Sequence, residues 1–220
     1  MLITKNREMS ETGKPEIEQL HQPDNFQLVG ELSHSEIAEF VIGELKHVRW
    51  PMLIFYLFTA ALLLMIVAIT AANIINTFMP WRTFLGGLFA GTAVGVLLVI
   101  PFHEGLHGLA YRLAGAKKIK YGMDLRQMIF YASAPGFVAG RYDFLVVALF
   151  PFILINLVFT SGIIWGQPFI QWTSLVALFM HSTMCIGDFA MLNFMTSYPG
   201  KKIYTYDDGR SKVSYFFVSR

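Results

Sequence analysis

The chain has 220 residues, of which 55% are hydrophobic and 15% are charged, and its formal net charge is +2. Soluble globular domains carry about 25% charged residues. This composition, with a single cysteine, excludes a disordered chain, a disulfide-stabilised scaffold and a basic nucleic-acid-binding protein, and it predicts a protein with much of its surface in lipid.

The first 49 residues form a polar arm with nine acidic and five basic residues. The arm has no apolar run of the kind found in a cleaved signal peptide, and we expect residues 1–30 to be loose. Ser33 and Glu36 are spaced as a capping box, and apolar residues then recur at helical spacing from residue 37 to residue 48. This pattern predicts an amphipathic helix that lies on the cytoplasmic membrane surface and leads into the first span.

Four long apolar segments follow the arm, at residues 51–77, 83–111, 144–165 and 169–196. A bilayer core about 30 Å thick needs roughly 20 apolar helical residues, so each segment predicts a transmembrane helix. The fold class is therefore an all-α polytopic membrane protein with four transmembrane helices, in which residues 50–197 form the membrane domain.

Lys and Arg residues outside these helices set the expected orientation. Five lie in the arm (1–49), one in the first loop, six between residues 112 and 141, none in the third loop and five in the tail (198–220). Because cytoplasmic loops are enriched in Lys and Arg, we expect both termini and the middle loop to be cytoplasmic. The protein is predicted to be a multi-pass protein of the cell membrane.

Three glycines in the second helix are spaced by four residues, at Gly87, Gly91 and Gly95. Small residues at this spacing allow another helix to approach closely. We interpret the pattern chiefly as packing within the chain, with a homo-oligomer through the same face as the alternative.

Acidic residues are rare in the four predicted transmembrane helices, where only Glu104 and Asp188 occur. The histidines there are His103, His107 and His181. An ionisable group inside a membrane is energetically costly and is by default a candidate functional residue. A buried polar network that only fixes helix packing is the structural alternative.

Residues 103–107 read His-Glu-Gly-Leu-His. Positions i and i+4 of a helix share a face, so His103 and His107 can bind one metal ion. Glu104 lies beside them, where it can take a proton from a water activated by zinc. The motif predicts a zinc site with Glu104 as general base.

A catalytic zinc site usually has three protein ligands. His103 and Asp188 lie 20 and 19 residues from the outer ends of their helices, so they are nearly level at ~1.5 Å per residue. Asp188 is therefore the predicted third ligand. His181 lies about 10 Å shallower on this scale, and it is either a second-shell or proton-relay residue or, more simply, a histidine bonded to a neighbouring helix.

Asn156 in the third helix is placed near the same depth. It can hold a substrate backbone or stabilise an oxyanion, although an asparagine that bridges two helices is common. Cys185 lies inside the fourth helix, and we interpret it as a small buried apolar residue.

The middle loop is predicted to contain a β-hairpin. Residues 118–121 and 127–132 have strand-like composition and are separated by residues 122–124. An exposed edge of this hairpin can receive an extended peptide by strand addition; a loop with no special role is the alternative. In the tail, residues 203–206 and 213–218 flank an Asp-Asp-Gly-Arg turn, which predicts a second hairpin.

The motif at residues 103–107, the basic hairpin-like loop and Gly187-Asp188 in a later helix resemble a family of bacterial zincin peptidases that carries a domain-of-unknown-function label. Its plan is similar to that of the site-2 proteases, which cleave membrane-embedded substrates. The resemblance implies His103, His107 and Asp188 as zinc ligands and Glu104 as catalytic base.

Two classes of function follow from these residues. The first is an integral-membrane zinc metallopeptidase whose partners are the lipid bilayer and a membrane protein or peptide substrate cleaved near the cytoplasmic face. The second is a non-catalytic membrane protein that binds or senses a metal through the same cluster. A zinc hydrolase acting on a lipid or small amide is also compatible with the motif, and no feature of the sequence identifies the substrate.

Overall fold

The computed structural model describes residues 13–124 and 129–220. Helices and strands follow in the order α1 (Ile17–Leu20), β1 (Phe26–Ser33), α2 (Ile37–Glu44), α3 (Trp50–Asn76), α4 (Trp81–Ala93), α5 (Ile100–Leu113), β2 (Lys120–Asp124), β3 (Ile129–Ser133), β4 (Ala139–Gly140), α6 (Arg141–Trp165), α7 (Pro168–Met184), α8 (Ile186–Met195), β5 (Ile203–Asp208) and β6 (Val213–Ser219).

Three continuous helical stretches of the described chain are long and apolar enough to cross a membrane: Trp50–Asn76, Trp81–Leu113 and Arg141–Trp165. The bent pair α7–α8 makes a fourth if it counts as one span. All four predicted segments are thus confirmed as apolar helices, shifted by a few residues at their ends. The architecture is mostly helical, with two small sheets rather than isolated hairpins alone.

The outer faces of these helices are apolar. Leu64 and Ile75 on α3 are 68% and 77% exposed, and Phe89 on α4 is 77% exposed. Large apolar side chains left in water over so wide an area would favour aggregation, whereas lipid tails solvate them. The surface is therefore compatible with a multi-pass membrane protein; the predicted orientation stays a prediction.

The fourth predicted helix is in fact two helices. α7 ends at Met184 and α8 begins at Ile186, with a 41° bend between them. Three side chains just before or at the bend donate to carbonyl oxygens of the preceding turn: Ser182 to Leu178, Thr183 to Met180 and Cys185 to His181. Such back-bonding competes with the helical ladder and bends helices, a local effect that hydropathy alone does not reveal.

The second apolar segment is continuous but contains a wide π-helical turn at Val94–Val99, between α4 and α5. The turn ends two residues before Pro101, whose ring removes one backbone donor from the helix. π-turns recur near functional sites because they displace the following residues from the regular helical register. Here the helix that follows the turn carries His103, Glu104 and His107.

The glycine stripe of α4 packs against α7 of the same chain. A Cβ atom at Gly91 would lie 2.6 Å from the Thr173 carbonyl oxygen and 2.7 Å from the Val176 Cβ. Gly87 and Gly95 are similarly close to Trp172 and Met180. The stripe is therefore occupied by packing within the chain in the described structure.

This packing predicts opposite effects for two alanine substitutions on α4. Gly91→Ala should destabilise the protein by about 1–3 kcal/mol because the new Cβ meets backbone. Gly86→Ala, whose Cβ would meet only a Phe169 ring carbon at 3.4 Å, should be neutral or stabilising by up to about 1 kcal/mol because alanine favours the helix. Thermal unfolding in one detergent measures both, and equal shifts for the two variants would contradict the packing.

The soluble elements form a four-stranded antiparallel sheet in the order β1-β6-β5-β4. The tail hairpin is confirmed, since β5 pairs with β6. The expectation that residues 1–30 are loose is wrong for the described part from Phe26 onward, because β1 pairs with β6 along its length. Its partner lies almost 190 residues away in sequence, so local patterning does not reveal the pairing.

The predicted amphipathic helix is confirmed as α2, although it ends at Glu44. Ser33 begins the turn before it, and the Ser33 hydroxyl accepts a hydrogen bond from the Ser35 amide at 3.3 Å. Ile37 and Phe40 pack with Met195 and Phe216 in a shared cluster, so the protein itself covers this face of α2, not a membrane surface alone. α2 thereby covers part of α8, one of the two helices that carry the candidate site.

The hairpin of the middle loop is confirmed with a different register. β2 pairs with β3, and Gly122 faces Tyr131 while Asp124 faces Ile129. Residues 122–124, predicted as the turn, are therefore strand residues. Residues 127 and 128 of the predicted second strand lie outside the described residues.

Candidate metal centre

The two histidines of the motif lie on one face of α5. Their imidazole centroids are 4.5 Å apart, and the rings of His103 and His107 are both buried. Helical spacing of four residues produces this placement directly.

Asp188 reaches the same point from α8. Its Oδ2 lies 3.2 Å from His103 Nε2, and its Oδ1 lies 3.2 Å from His107 Nε2. Ligands held at 2.0–2.2 Å in a zinc tetrahedron are about 3.3–3.6 Å from one another. The two nitrogen–oxygen distances are close to this spacing, and all three residues offer donor atoms within 4.8 Å of one another. The donor set of two nitrogens and one carboxylate suits zinc.

Glu104 lies beside these three residues with one oxygen engaged and one free. The Ala132 N–H of β3 donates to its carboxylate, while its Oε2 is buried and has no hydrogen-bond partner among the described residues. A buried carboxylate oxygen without a partner is costly, and a water bound at the centre would satisfy it. The geometry thus fits a metal held by three residues with a water next to Glu104.

The orientation of His107 is fixed by the backbone of α6. Its Nδ1 lies 2.9 Å from the Val147 carbonyl oxygen, which can only accept, so Nδ1 carries the proton. A neutral imidazole then has its lone pair on Nε2, the atom that faces Asp188. This is the tautomer that a metal ligand requires.

His181 is much closer to the centre than the depth argument predicts. Its Nε2 lies 3.1 Å from His103 Nδ1, and its Nδ1 lies 3.1 Å from Asn156 Oδ1. The expected offset of about 10 Å assumed a straight helix up to Asp188. The helix is instead bent by 41° at Cys185, and His181 and Asp188 contact opposite nitrogens of the His103 ring.

Asn156 is a bridge between helices. Its amide oxygen is directed at His181, and it is absent from the described residues that line either cavity at the centre. The structure therefore gives no geometry for its predicted role as an oxyanion or substrate-binding group. Cys185 is fully buried, and its thiol donates to the His181 carbonyl at 3.3 Å, as expected of a small buried residue.

Two cavities meet at the centre. We call the first, of about 180 Å³, the sheet-side cleft; its polar lining residues include His34, Ser133 and Asp207. The second, of about 430 Å³, is the helix-side groove, and its lining away from the centre is apolar, with Ile42, Ile100, Met184 and Ile186 among its members. Glu104, Asp188, Gly187, Phe130, Ile37 and Val41 line both.

The sheet-side cleft has no lysine or arginine among its described lining residues. Burial lowers the pKa of His34 below its ordinary value, and this effect outweighs the opposing influence of Asp207, so the ring is neutral at pH 7. A bound metal would therefore be the dominant positive charge that a substrate meets in this cleft.

Sequence reasoning did not identify several groups that complete the site. Ala132 and Val147 act through backbone atoms, which leave no signature in side-chain composition. Gly187 lines both cavities; its position next to Asp188 was the only available signal.

Residues 96–203 match the model of a family described as "Putative zincin peptidase". The match includes the motif on α5, the β2–β3 hairpin, α6, α7 and Asp188. A zincin peptidase implies a zinc cofactor and the hydrolysis of peptide bonds. No curated protein and no solved structure matches the chain.

Proposed function

We propose that the chain is an integral-membrane zinc metallopeptidase that hydrolyses membrane-associated or transmembrane polypeptides near the cytoplasmic face. The observation that carries the proposal is the convergence of His103, His107 and Asp188, whose donor atoms lie within 4.8 Å of one another, beside a buried carboxylate oxygen without a partner among the described residues. The family match of residues 96–203 supports the same chemistry.

In this proposal, His103, His107 and Asp188 hold the zinc ion. When bound there, zinc lowers the pKa of a water and polarises the substrate carbonyl. Glu104 accepts the proton of the attacking water on its free oxygen and passes it to the leaving amine nitrogen. The Ala132 N–H donates a hydrogen bond to the Glu104 carboxylate. This bond keeps Glu104 oriented while it accepts the proton and while it passes the proton on.

The two cavities support a polypeptide substrate that passes from an apolar to a polar environment. The helix-side groove offers apolar side chains of α2, α5, α7 and α8, which suit residues leaving the lipid. The sheet-side cleft offers hydroxyl and carboxylate groups and residues 130–134 on and after β3, where an extended backbone can add as a strand. Since both cavities include Glu104 and Asp188, the scissile bond would lie between them.

Membrane position and orientation belong to the same proposal. The long apolar helices and their exposed apolar faces support a multi-pass protein, and the Lys and Arg distribution supports cytoplasmic termini and a cytoplasmic middle loop. The metal centre lies on the first half of α5 and would then be buried in the membrane region, nearer the cytoplasmic end than the outer end of the span Trp81–Leu113.

The direct test uses the full chain purified in detergent and a set of synthetic peptides. Each peptide joins an apolar segment of roughly 20 residues to a polar segment of randomised sequence, and mass spectrometry detects cleavage. We expect cleavage at the junction, loss of cleavage with a zinc chelator and recovery on adding zinc. Cleavage that persists in the chelator, or no cleavage by the zinc-loaded protein, would contradict the proposal.

A substitution at Gly187 tests the path of the substrate. A Cβ there would meet nothing within 4 Å in the described part of the chain, so Gly187→Val should fold and bind zinc while its side chain enters the junction of the two cavities. We expect cleavage of the same peptides to fall at least tenfold. Gly43→Val is the matched control, because Gly43 on α2 also has open space around its Cβ position and is not among the described residues lining either cavity. Equal activity in the two variants would contradict this path.

A further inference from the structure

Three side chains joined by hydrogen bonds lead from the metal centre into the helix bundle. His181 is 0% exposed and lies between His103 on α5 and Asn156 on α6, with both nitrogen contacts at 3.1 Å. Neither His181 nor Asn156 is among the described residues that line the two cavities, so neither is placed to touch a substrate.

The direction of each hydrogen bond in this series follows from Asn156, the last of the three side chains. The amide oxygen of Asn156 can only accept, so the Nδ1 of His181 carries a proton and donates it. In a neutral imidazole the other nitrogen then has the lone pair, so His181 Nε2 accepts from His103 Nδ1. His103 therefore carries a proton on Nδ1, so Nε2, the atom 3.2 Å from Asp188 Oδ2, is the nitrogen that offers its lone pair when a metal is bound.

We propose that Asn156 and His181 are positioning residues that fix the tautomer and ring orientation of His103 as a zinc ligand; the proposal rests on the proposed function only in requiring a zinc site. The Val147 carbonyl fixes the tautomer and ring orientation of His107 in the same way. In the described structure the Nδ1 of His103 has no backbone acceptor, and its acceptor is the side chain of His181. The two ligands of the motif are thus held in matching tautomers by different means.

The arrangement also excludes a competing use of the same residues. His103, His181 and Cys185 have donor atoms close enough to hold a metal ion themselves. A metal there would need the lone pair of His103 Nδ1, whereas the bond to His181 requires a proton on that atom. The Cys185 sulfur is meanwhile 3.3 Å from the His181 carbonyl oxygen and 3.5 Å from His181 Nε2, and because both atoms are acceptors the thiol keeps its proton. The hydrogen bonds through His181 and a metal ion bound by His103, His181 and Cys185 therefore exclude each other. The first predicts one metal ion per chain and the second predicts an additional one.

The experiment compares metal binding by His181→Leu, His181→Gln, Asn156→Leu and a control in the full chain. The control is Ser182→Ala, since Ser182 is equally buried but its hydroxyl bonds only the Leu178 carbonyl in the described structure. Zinc affinity is measured by competition with a chelator, and the visible spectrum of the cobalt-substituted protein reports the ligand geometry. Loss of an outer-shell partner typically weakens metal affinity 10–100-fold.

We expect His181→Leu to bind zinc 10–100-fold more weakly with an altered cobalt spectrum, Asn156→Leu to show a smaller change in the same direction, and Ser182→Ala to match the wild type. His181→Gln should recover part of the affinity, because its amide oxygen can accept from His103. Wild-type affinity and spectrum in His181→Leu would overturn the positioning role alone. Two metal ions per wild-type chain, falling to one in that variant, would overturn it in favour of a second site. A wild-type chain that binds no zinc would overturn the proposed function as well.

Discussion

Replacing Glu104 by glutamine should abolish peptide hydrolysis and leave zinc binding unchanged. Glutamine has nearly the same shape but cannot accept a proton from water, and general acid–base catalysis by a positioned side chain typically contributes 10²–10⁴-fold to the rate. The three proposed ligands are untouched by the change. Cleavage of the apolar–polar peptides should therefore fall by about 10²–10⁴-fold, while elemental analysis finds the wild-type amount of zinc.

This variant also separates the two classes of function that the sequence leaves open. A metal-binding or metal-sensing protein would need no proton acceptor at residue 104, so its function in cells would survive Glu104→Gln. A peptidase would be inactive in cells and in detergent alike. Undiminished cleavage by Glu104→Gln would contradict the role of this residue as general base.

Replacing Asp188 by alanine should remove most of the bound zinc. The substitution takes away the only carboxylate in contact with both His103 and His107 in the described structure and leaves two imidazoles. The loss of affinity should exceed the 10–100-fold that removal of an outer-shell partner costs, because a direct ligand is lost. Zinc content after dialysis against a weak chelator measures the effect.

Asp207→Ala is the control for this result. Asp207 also lines the sheet-side cleft, but its carboxylate accepts from the Ser214 hydroxyl at 2.6 Å and is not part of the metal-donor group found in the described residues. The Asp207→Ala variant should bind the wild-type amount of zinc. Equal zinc content in Asp188→Ala and the wild type would mean that Asp188 is not a ligand.

Local sequence patterns were sufficient for much of the fold. Each long helix is apolar through its whole length, so hydropathy locates it within a few residues, and the tail hairpin is marked by its Asp-Asp-Gly-Arg turn. The strand β1 was missed because its stability comes from pairing with β6, a contact between distant parts of the chain. The register of β2–β3 was wrong because Gly122 has low strand propensity yet lies within the ladder.

Some residues of the candidate site are likewise predictable from local sequence patterns, and others are not. His103, Glu104 and His107 follow from helical spacing, and Asp188 follows from comparing depths along two helices; the structure brings all four together. The depth of His181 was misjudged because side-chain bonds to the backbone bend the helix at Cys185. The contributions of Ala132 and Val147 were not predictable, since any residue type supplies the same backbone donor or acceptor.

The central claim is that one zinc ion is held by two imidazole nitrogens and the carboxylate of Asp188. Zinc-edge X-ray absorption on the purified full chain tests it most directly, because it identifies ligand atoms by their distance. We expect a shell of nitrogen and oxygen ligands only, at about 2.0–2.2 Å from the zinc ion. A sulfur ligand at about 2.3 Å would contradict it, since Cys185 would then bind the metal together with His103 and His181.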